Sequence, residues 1–130
     1  MKSLNYWIKN NDKRKRIINQ LIRKKVIKSY FSKELIGLFF DKAEYNLKAS
    51  FDNININYFD WAINASYYSA YMASQALLLR KGFVSKSHKA TILLLIDNFL
   101  NNGLTKEEID FIFKSGLIPQ KHLLLTIFFS

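Results

Sequence analysis

The chain has 130 residues, of which 49% are hydrophobic, contains no cysteine and carries a formal net charge of +10 at pH 7. This length favours a single domain that has its own hydrophobic core and needs no covalent cross-link for stability. The lack of cysteine excludes disulfides and thiolate metal sites, and with two histidines we expect neither a metal centre nor a cofactor. The composition suits a reducing compartment, so we expect a cytoplasmic protein.

The positive charge is concentrated at the start of the chain. Residues 1–33 contain eleven of the twenty Lys and Arg residues, and Asp12 is the one acidic residue among them. The rest of the chain carries equal numbers of acidic and basic side chains. We therefore divide the chain into a basic N-terminal helical arm, residues 1–32, and a helical bundle, residues 33–130.

The apolar residues recur at three- and four-residue steps, and only one proline and four glycines interrupt them. This pattern predicts an all-α fold. The predicted helices cover residues 13–30, 33–54, 58–81 and 88–101, and a fifth begins after Thr105. The first helix is amphipathic, with Val26 and Ile27 at the end of its apolar stripe. The C-terminal stretch is either a short helix or an extended tail.

Local signals mark the ends of these helices. Asp, Ser and Thr side chains cap helix N-termini, and Thr105-x-x-Glu108 has the spacing of a capping box. Gly82 follows Arg80 and Lys81, which predicts the end of the third helix. The residues predicted to cap helices are Asp12, Ser32, Ser87 and Thr105.

The segment from Trp61 to Leu79 runs for nineteen residues without a charge. Its length is close to that of a membrane-spanning helix, but polar side chains such as Asn64 and Gln75 lower its hydrophobicity, and it is rich in alanine. A helix that is apolar on most sides belongs in the centre of a bundle. We therefore predict a buried central helix and no membrane span.

Two motifs in this region resemble the HEPN-domain family of small prokaryotic helical-bundle proteins. They read YYSAYMASQALLLRKG and, after a short gap, SHKATI, with DKAEYNLKAS and an Asp-Trp pair upstream. The resemblance covers about residues 33–116. It implies an antiparallel, up-and-down bundle of four to five helices, often a homodimer, and a frequent pairing with a minimal nucleotidyltransferase in toxin–antitoxin modules.

Many members of that family cleave RNA with an Arg-x(4–6)-His motif, and this sequence departs from that pattern. Seven residues separate Arg80 from His88, and no arginine precedes His122 at the required distance. Ala65 stands where the family often has arginine. The tail after Ile118 matches no family pattern, so we expect a shortened or atypical C-terminal part.

Two groups of residues are candidate binding residues. The resemblance implies a nucleotide- or RNA-binding groove, with core or dimer packing and simple helix capping as the alternatives. The groove residues are Asn64, Tyr67, Tyr68, Ser87, His88 and Lys89. The basic run favours sequence-independent phosphate contacts, with a solvated surface or an anionic lipid surface as alternatives. The phosphate-contact residues are Lys13, Arg14, Arg16, Lys24 and Lys25.

The leading hypothesis is a nucleotide- or RNA-binding HEPN component paired with a nucleotidyltransferase, without catalytic residues of its own. One alternative is a metal-independent ribonuclease toxin, in which His88 would be catalytic. The other is a purely structural dimer that binds a protein partner.

Overall fold

The computed structural model describes residues 2–115. They form the helices α1 (Leu4–Lys9), α2 (Asn11–Arg23), α3 (Lys33–Asn55), α4 (Phe59–Arg80), α5 (His88–Phe99) and α6 (Lys106–Ser115), and the strands β1 (Ile27–Ser29) and β2 (Phe83–Ser85). The prediction of an all-α bundle is confirmed, and the strands add one small antiparallel ladder. His122 and the predicted segment after Ile118 lie outside the described residues.

The two longest helices, α3 and α4, form an antiparallel hairpin with small residues at their contact. Ala43 on α3 and Ala62 on α4 are buried, and small side chains let helix backbones approach closely. The hydroxyl of Ser50 donates to the Ala62 carbonyl at 2.9 Å, and that of Ser69 donates to the Ala43 carbonyl. The two helices are therefore joined by hydrogen bonds as well as by apolar packing.

Helix α4 lies at the centre of the bundle and also contacts β2, α5 and α6. Its second half is buried, as predicted, and Ala76, Leu78 and Leu79 have no solvent exposure. Its first turns are more open, and the side chains of Trp61 and Ile63 are exposed. Among residues 2–115, no helix has the length and hydropathy that a membrane crossing requires.

Helix α5 supplies more buried residues to the main core than any other helix within residues 2–115. The run from Ile92 to Ile96 is buried and packs with Leu4, Trp7, Ile18 and Ile27 of the N-terminal segment. The division of the chain into residues 1–32 and 33–130 stays a prediction. In the structure the two parts share one core, and the basic segment packs against α5.

The predicted helix over residues 13–30 starts within two residues of the observed one, but its predicted end and its predicted Asp12 cap are wrong. Helix α2 begins at Asn11 and ends at Arg23, with Asp12 in its first turn and no side-chain cap. Lys25 then adopts a left-handed conformation with a φ of 59°, which turns the chain out of the helix. Ile27 opens strand β1 opposite Ser85 of β2 and is 2% exposed. Because Val26 and Ile27 are β-branched, they suit this extended backbone.

The other predicted helix ends are confirmed to within two residues. Ser32 and Ser87 each accept a hydrogen bond from the backbone N–H three residues on, at 3.1 and 3.0 Å. Thr105 and Glu108 exchange the two hydrogen bonds of a capping box, at 3.2 and 2.9 Å. Gly82 has a φ of +88° directly after α4, the conformation that favours glycine at this position. Helix α1 was not predicted.

Candidate functional site

Aromatic side chains meet where α4, α5 and α6 join. Tyr67 of α4 packs against Phe111 of α6, with ring centroids 4.4 Å apart. One turn further along α4, the Tyr71 ring stacks on the imidazole of His88, with centroids 5.8 Å apart. The Nε2 atom of His88 lies 3.1 Å from the Phe113 carbonyl oxygen. Two predicted site residues, Tyr67 and His88, therefore both contact α6.

The environment of His88 favours a neutral imidazole. Burial lowers the pKa of His88, and the hydrogen bond to the Phe113 carbonyl opposes this effect more weakly. Since a carbonyl oxygen only accepts, Nε2 carries the proton and Nδ1 holds the lone pair in the neutral ring. At neutral pH His88 thus fastens α5 to α6, and its cationic form, which an acid catalyst needs, is disfavoured.

Substituting His88 with glutamine should reduce the loss of stability on acidification. The pKa of His88 is lower in the folded protein than in the unfolded chain, so the unfolded chain binds more protons below about pH 6.5. The contribution of His88 to stability is complete above that pH and is lost as the pH falls. We expect the wild type to lose more free energy of unfolding than His88→Gln between about pH 7 and about pH 5.5.

Urea denaturation of both proteins at the two pH values measures this difference. Glutamine can keep an amide donor toward the Phe113 carbonyl, and other titrating groups are common to both proteins. Equal losses in the two proteins would show that His88 does not carry the effect.

Asn64 and Tyr68 lie in the packed part of α4. Asn64 is buried and Tyr68 is half-buried. Burial raises the pKa of Tyr68, and the nearby Tyr71 adds to this, so the phenol stays protonated. This burial agrees with the packing alternative for these residues, and their role in base binding stays a prediction.

The predicted trio of Ser87, His88 and Lys89 does not form one pocket. The Ser87 hydroxyl caps α5, and His88 contacts α6. Lys89 reaches α1 instead, where its Nζ atom lies 5.3 Å from the centroid of the Trp7 ring. The three side chains therefore have separate surroundings.

Thr91 is the centre of a buried polar network that was not predicted from the sequence. Its Oγ1 atom accepts from Gln75 Nε2 at 3.0 Å and lies 2.9 Å from Ser85 Oγ and 3.0 Å from the Ser87 carbonyl. This network ties α4, β2 and the start of α5 together. The four-residue step from Ser87 to Thr91 is its one local signal, since Gln75 and Ser85 arrive from other elements.

The N-terminal segment presents a basic surface. Four of the five predicted phosphate-contact residues are exposed, and none forms a salt bridge with a carboxylate among residues 2–115. These four residues, which we call the basic face, are Lys13, Arg16, Lys24 and Lys25. Strand β1 adds Lys28, and Lys86 directly follows β2; the predicted set omitted both, and the proximity of Lys28 lowers the pKa of Lys86. That pairing depends on strand register, so no local signal marks it.

Arg14, the fifth predicted phosphate contact, has a different environment. Its side chain is 8% exposed, and its Nε and Nη2 atoms donate to Asp97 of α5 at 3.3 and 3.2 Å. Its Nη1 atom donates to the Trp7 carbonyl at 2.9 Å. Arg14 therefore holds α1 and α2 on α5, and this role competes with a phosphate contact.

Many large apolar side chains are exposed around the turn of the α3–α4 hairpin. A cluster of this kind on one part of a surface is typical of a protein-interaction site. We call these residues the hairpin surface: Leu47, Phe51, Ile54, Ile56, Tyr58, Phe59, Trp61 and Ile63.

In the part of the chain that the structure describes, no group of three or more acidic or histidine side chains could hold a metal ion.

A family model described as "HEPN domain" matches residues 36–117, which is more than half of the chain. The chain belongs to the HEPN domain family. The resemblance inferred from the Tyr-Tyr and Ser-His-Lys motifs is therefore confirmed, over nearly the same residues. The matched range begins in the first turn of α3 and includes α4 to α6, whereas α1, α2 and β1 precede it.

A relative of this HEPN protein from Methanocaldococcus jannaschii carries the name "Putative toxin MJ0142". The two sequences are 33% identical over 72 residues, which cover 55% of this chain and 49% of the relative. The chain thus spans about half the length of the curated relative that it matches. No solved structure matches the chain.

Proposed function

We propose that this HEPN chain is the RNA- or nucleotide-binding member of a toxin–antitoxin-type pair, with a minimal nucleotidyltransferase as its partner. Its membership of the family and the toxin named among its relatives support this type of pair. We propose the cytoplasm as its location, because RNA is available there. Co-purification of a co-expressed nucleotidyltransferase with the chain would test the pairing.

The basic face carries the proposal of RNA binding. Its four cations are exposed without a carboxylate partner, and Lys28 and Lys86 add two ammonium groups that repel each other. Such clusters are unfavourable in the free protein and become favourable when phosphates lie against them. The neutral remainder of the chain directs this attraction to one side of the molecule.

A salt titration of RNA binding tests this proposal. We expect the dissociation constant for a single-stranded RNA to rise steeply between about 50 and about 300 mM salt. At about 0.7 per neutralised phosphate, four contacts give a slope of about −3 in a plot of log affinity against log salt. A slope near zero would contradict phosphate neutralisation by this surface.

The ribonuclease alternative rests on the toxin named among the relatives. The buried, carbonyl-bonded His88 and the missing Arg-x(4–6)-His motif count against it. Incubation with labelled tRNA and mRNA discriminates between the two functions. Cleavage that His88→Gln abolishes would favour the ribonuclease, whereas intact RNA that remains bound favours the binding role.

We also propose that the hairpin surface forms the homodimer interface. Phe51 on α3 is more than half exposed, in a cluster that a second copy would cover. A charge in the middle of such an interface should weaken self-association at least about tenfold, because the carboxylate would be desolvated without a partner. Sedimentation of the wild type and Phe51→Asp measures this effect.

Tyr45→Asp is the matched control for that experiment. Tyr45 is also on α3 and equally exposed, but it lies outside the hairpin surface. We expect this variant to associate like the wild type. A dimeric wild type that co-purifies with a co-expressed protein and binds no RNA would instead favour the purely structural role.

A further inference from the structure

A cavity of about 420 Å³ opens between the N-terminal helices and α5. Its volume falls in the range of small-molecule sites, about 300–1,000 Å³. Five of its six lining residues precede the part of the chain that matches the HEPN model, and the sixth belongs to the Ser-His-Lys motif. The lining residues are Lys2, Tyr6, Trp7, Lys13, Ile17 and Lys89.

Three ammonium groups line this cavity, and no carboxylate does. None of Lys2, Lys13 and Lys89 forms a salt bridge within residues 2–115. The Nζ atoms of Lys2 and Lys89 lie 5.4 and 5.3 Å from the ring centroids of Tyr6 and Trp7, respectively. Aromatic rings offset only a small part of three positive charges, so the cavity attracts a compact polyanion.

Trp7 is the buried aromatic residue of the cavity lining. The residue is 3% exposed, and its indole Nε1 atom is buried without a hydrogen-bond acceptor among the described residues. A buried donor of this kind is destabilising unless an acceptor satisfies it. Because Nε1 has almost no solvent-accessible surface, a phosphate oxygen in the cavity can reach it only if the indole ring or a neighbouring side chain moves.

We propose that this cavity binds a small molecule that carries two or more phosphate groups. Three lysines match the charge of an oligophosphate, and the half-buried ring of Tyr6 can contact an attached base. The site goes beyond RNA binding at the basic face. Arg16, Lys24 and Lys25 do not line the cavity, so the two sites can be tested with separate variants.

Fluorescence of Trp7 can report binding directly. Trp61 is the second of the two tryptophans, and Trp61→Phe leaves Trp7 as the single reporter. In this background we would titrate inorganic tripolyphosphate and, separately, ATP at low salt, and confirm binding by calorimetry. We expect saturable binding that Lys89→Gln and Lys13→Gln each weaken about tenfold or more, since each removes one charged contact.

Lys15→Gln is the matched control, because it removes the same charge from the same helix as Lys13 without altering the cavity lining. It should change the affinity less than about twofold. Lys13 is exposed, so its substitution tests the site even if Lys89→Gln unfolds. Tighter binding of ATP than of tripolyphosphate would support a nucleotide as the ligand, and equal binding would support the phosphate chain alone. Absence of saturable binding, or an equal loss in Lys15→Gln, would overturn the proposal.

Discussion

Replacing Arg14 with methionine is expected to lower the free energy of unfolding by about 2–3 kcal/mol, far more than replacing an exposed basic residue of the same helix. The guanidinium makes two contacts with the Asp97 carboxylate and one each with the Trp7 and Ile8 carbonyls, and it is almost fully buried. Methionine fills much of the same volume but removes these donors. The Asp97 side chain is 31% exposed, so water recovers part of the loss.

Urea denaturation of Arg14→Met beside Arg16→Met measures this effect. Arg16 is on the same helix but is exposed, and its replacement should change the free energy of unfolding by less than about 0.5 kcal/mol. A double-mutant cycle with Asp97→Asn isolates the ion pair, because Arg14→Met should cost less when the carboxylate charge is gone. Equal effects of the two arginine substitutions would contradict the structural role of Arg14.

The features predicted correctly from the sequence depend on contacts within one helical turn. Ser32 and Ser87 cap helices through the N–H three residues on, and Thr105 and Glu108 complete a box of the same span. In each case the capping residue and the residue that it bonds are only three positions apart in the sequence. The uncharged Trp61–Leu79 segment was also interpretable, since its composition favours burial, and its second half is buried in the structure.

The features that the sequence could not reveal depend on distant partners. Val26 and Ile27 extend the apolar periodicity of α2, and they leave the helix because Ile27 pairs with β2 almost sixty residues later. Arg14 and Arg16 stand in the same basic run, and Asp97 on a distant helix decides which of them is buried. Hydrophobic periodicity shows neither where α2 gives way to a strand nor which of the two arginines is buried.

In the candidate site, too, the sequence could not show which element each side chain contacts, even for residues that are adjacent in the chain. Consecutive helical residues point about 100° apart, which lets His88 and Lys89 contact different elements from adjacent positions. The structure gives each of them a different neighbour, α6 for His88 and Trp7 for Lys89. Tyr67 and His88 do meet the same helix, because α4 and α5 both pack against α6.

Removing three cations of the basic face should produce the largest change in RNA affinity. The variant Arg16→Gln, Lys24→Gln and Lys25→Gln keeps Lys13, which lines the cavity near Trp7. At about 0.7 per phosphate contact, the log–log salt slope should become shallower by about 2, and the affinity at low salt should fall about a hundredfold. Because the three side chains are exposed and form no salt bridge with a described residue, the fold should be unaffected.

The control removes the same charge from another surface. Lys33, Lys42 and Lys48 are exposed on α3, which packs chiefly on α4, and their replacement by glutamine also lowers the net charge by three. If attraction to RNA came from net charge alone, both triple variants would lose the same affinity. A local phosphate-binding surface predicts instead that the salt slope changes only when the cations of α2 and its C-terminal turn are removed, because screening confines their effect to about 10 Å at 0.1 M salt.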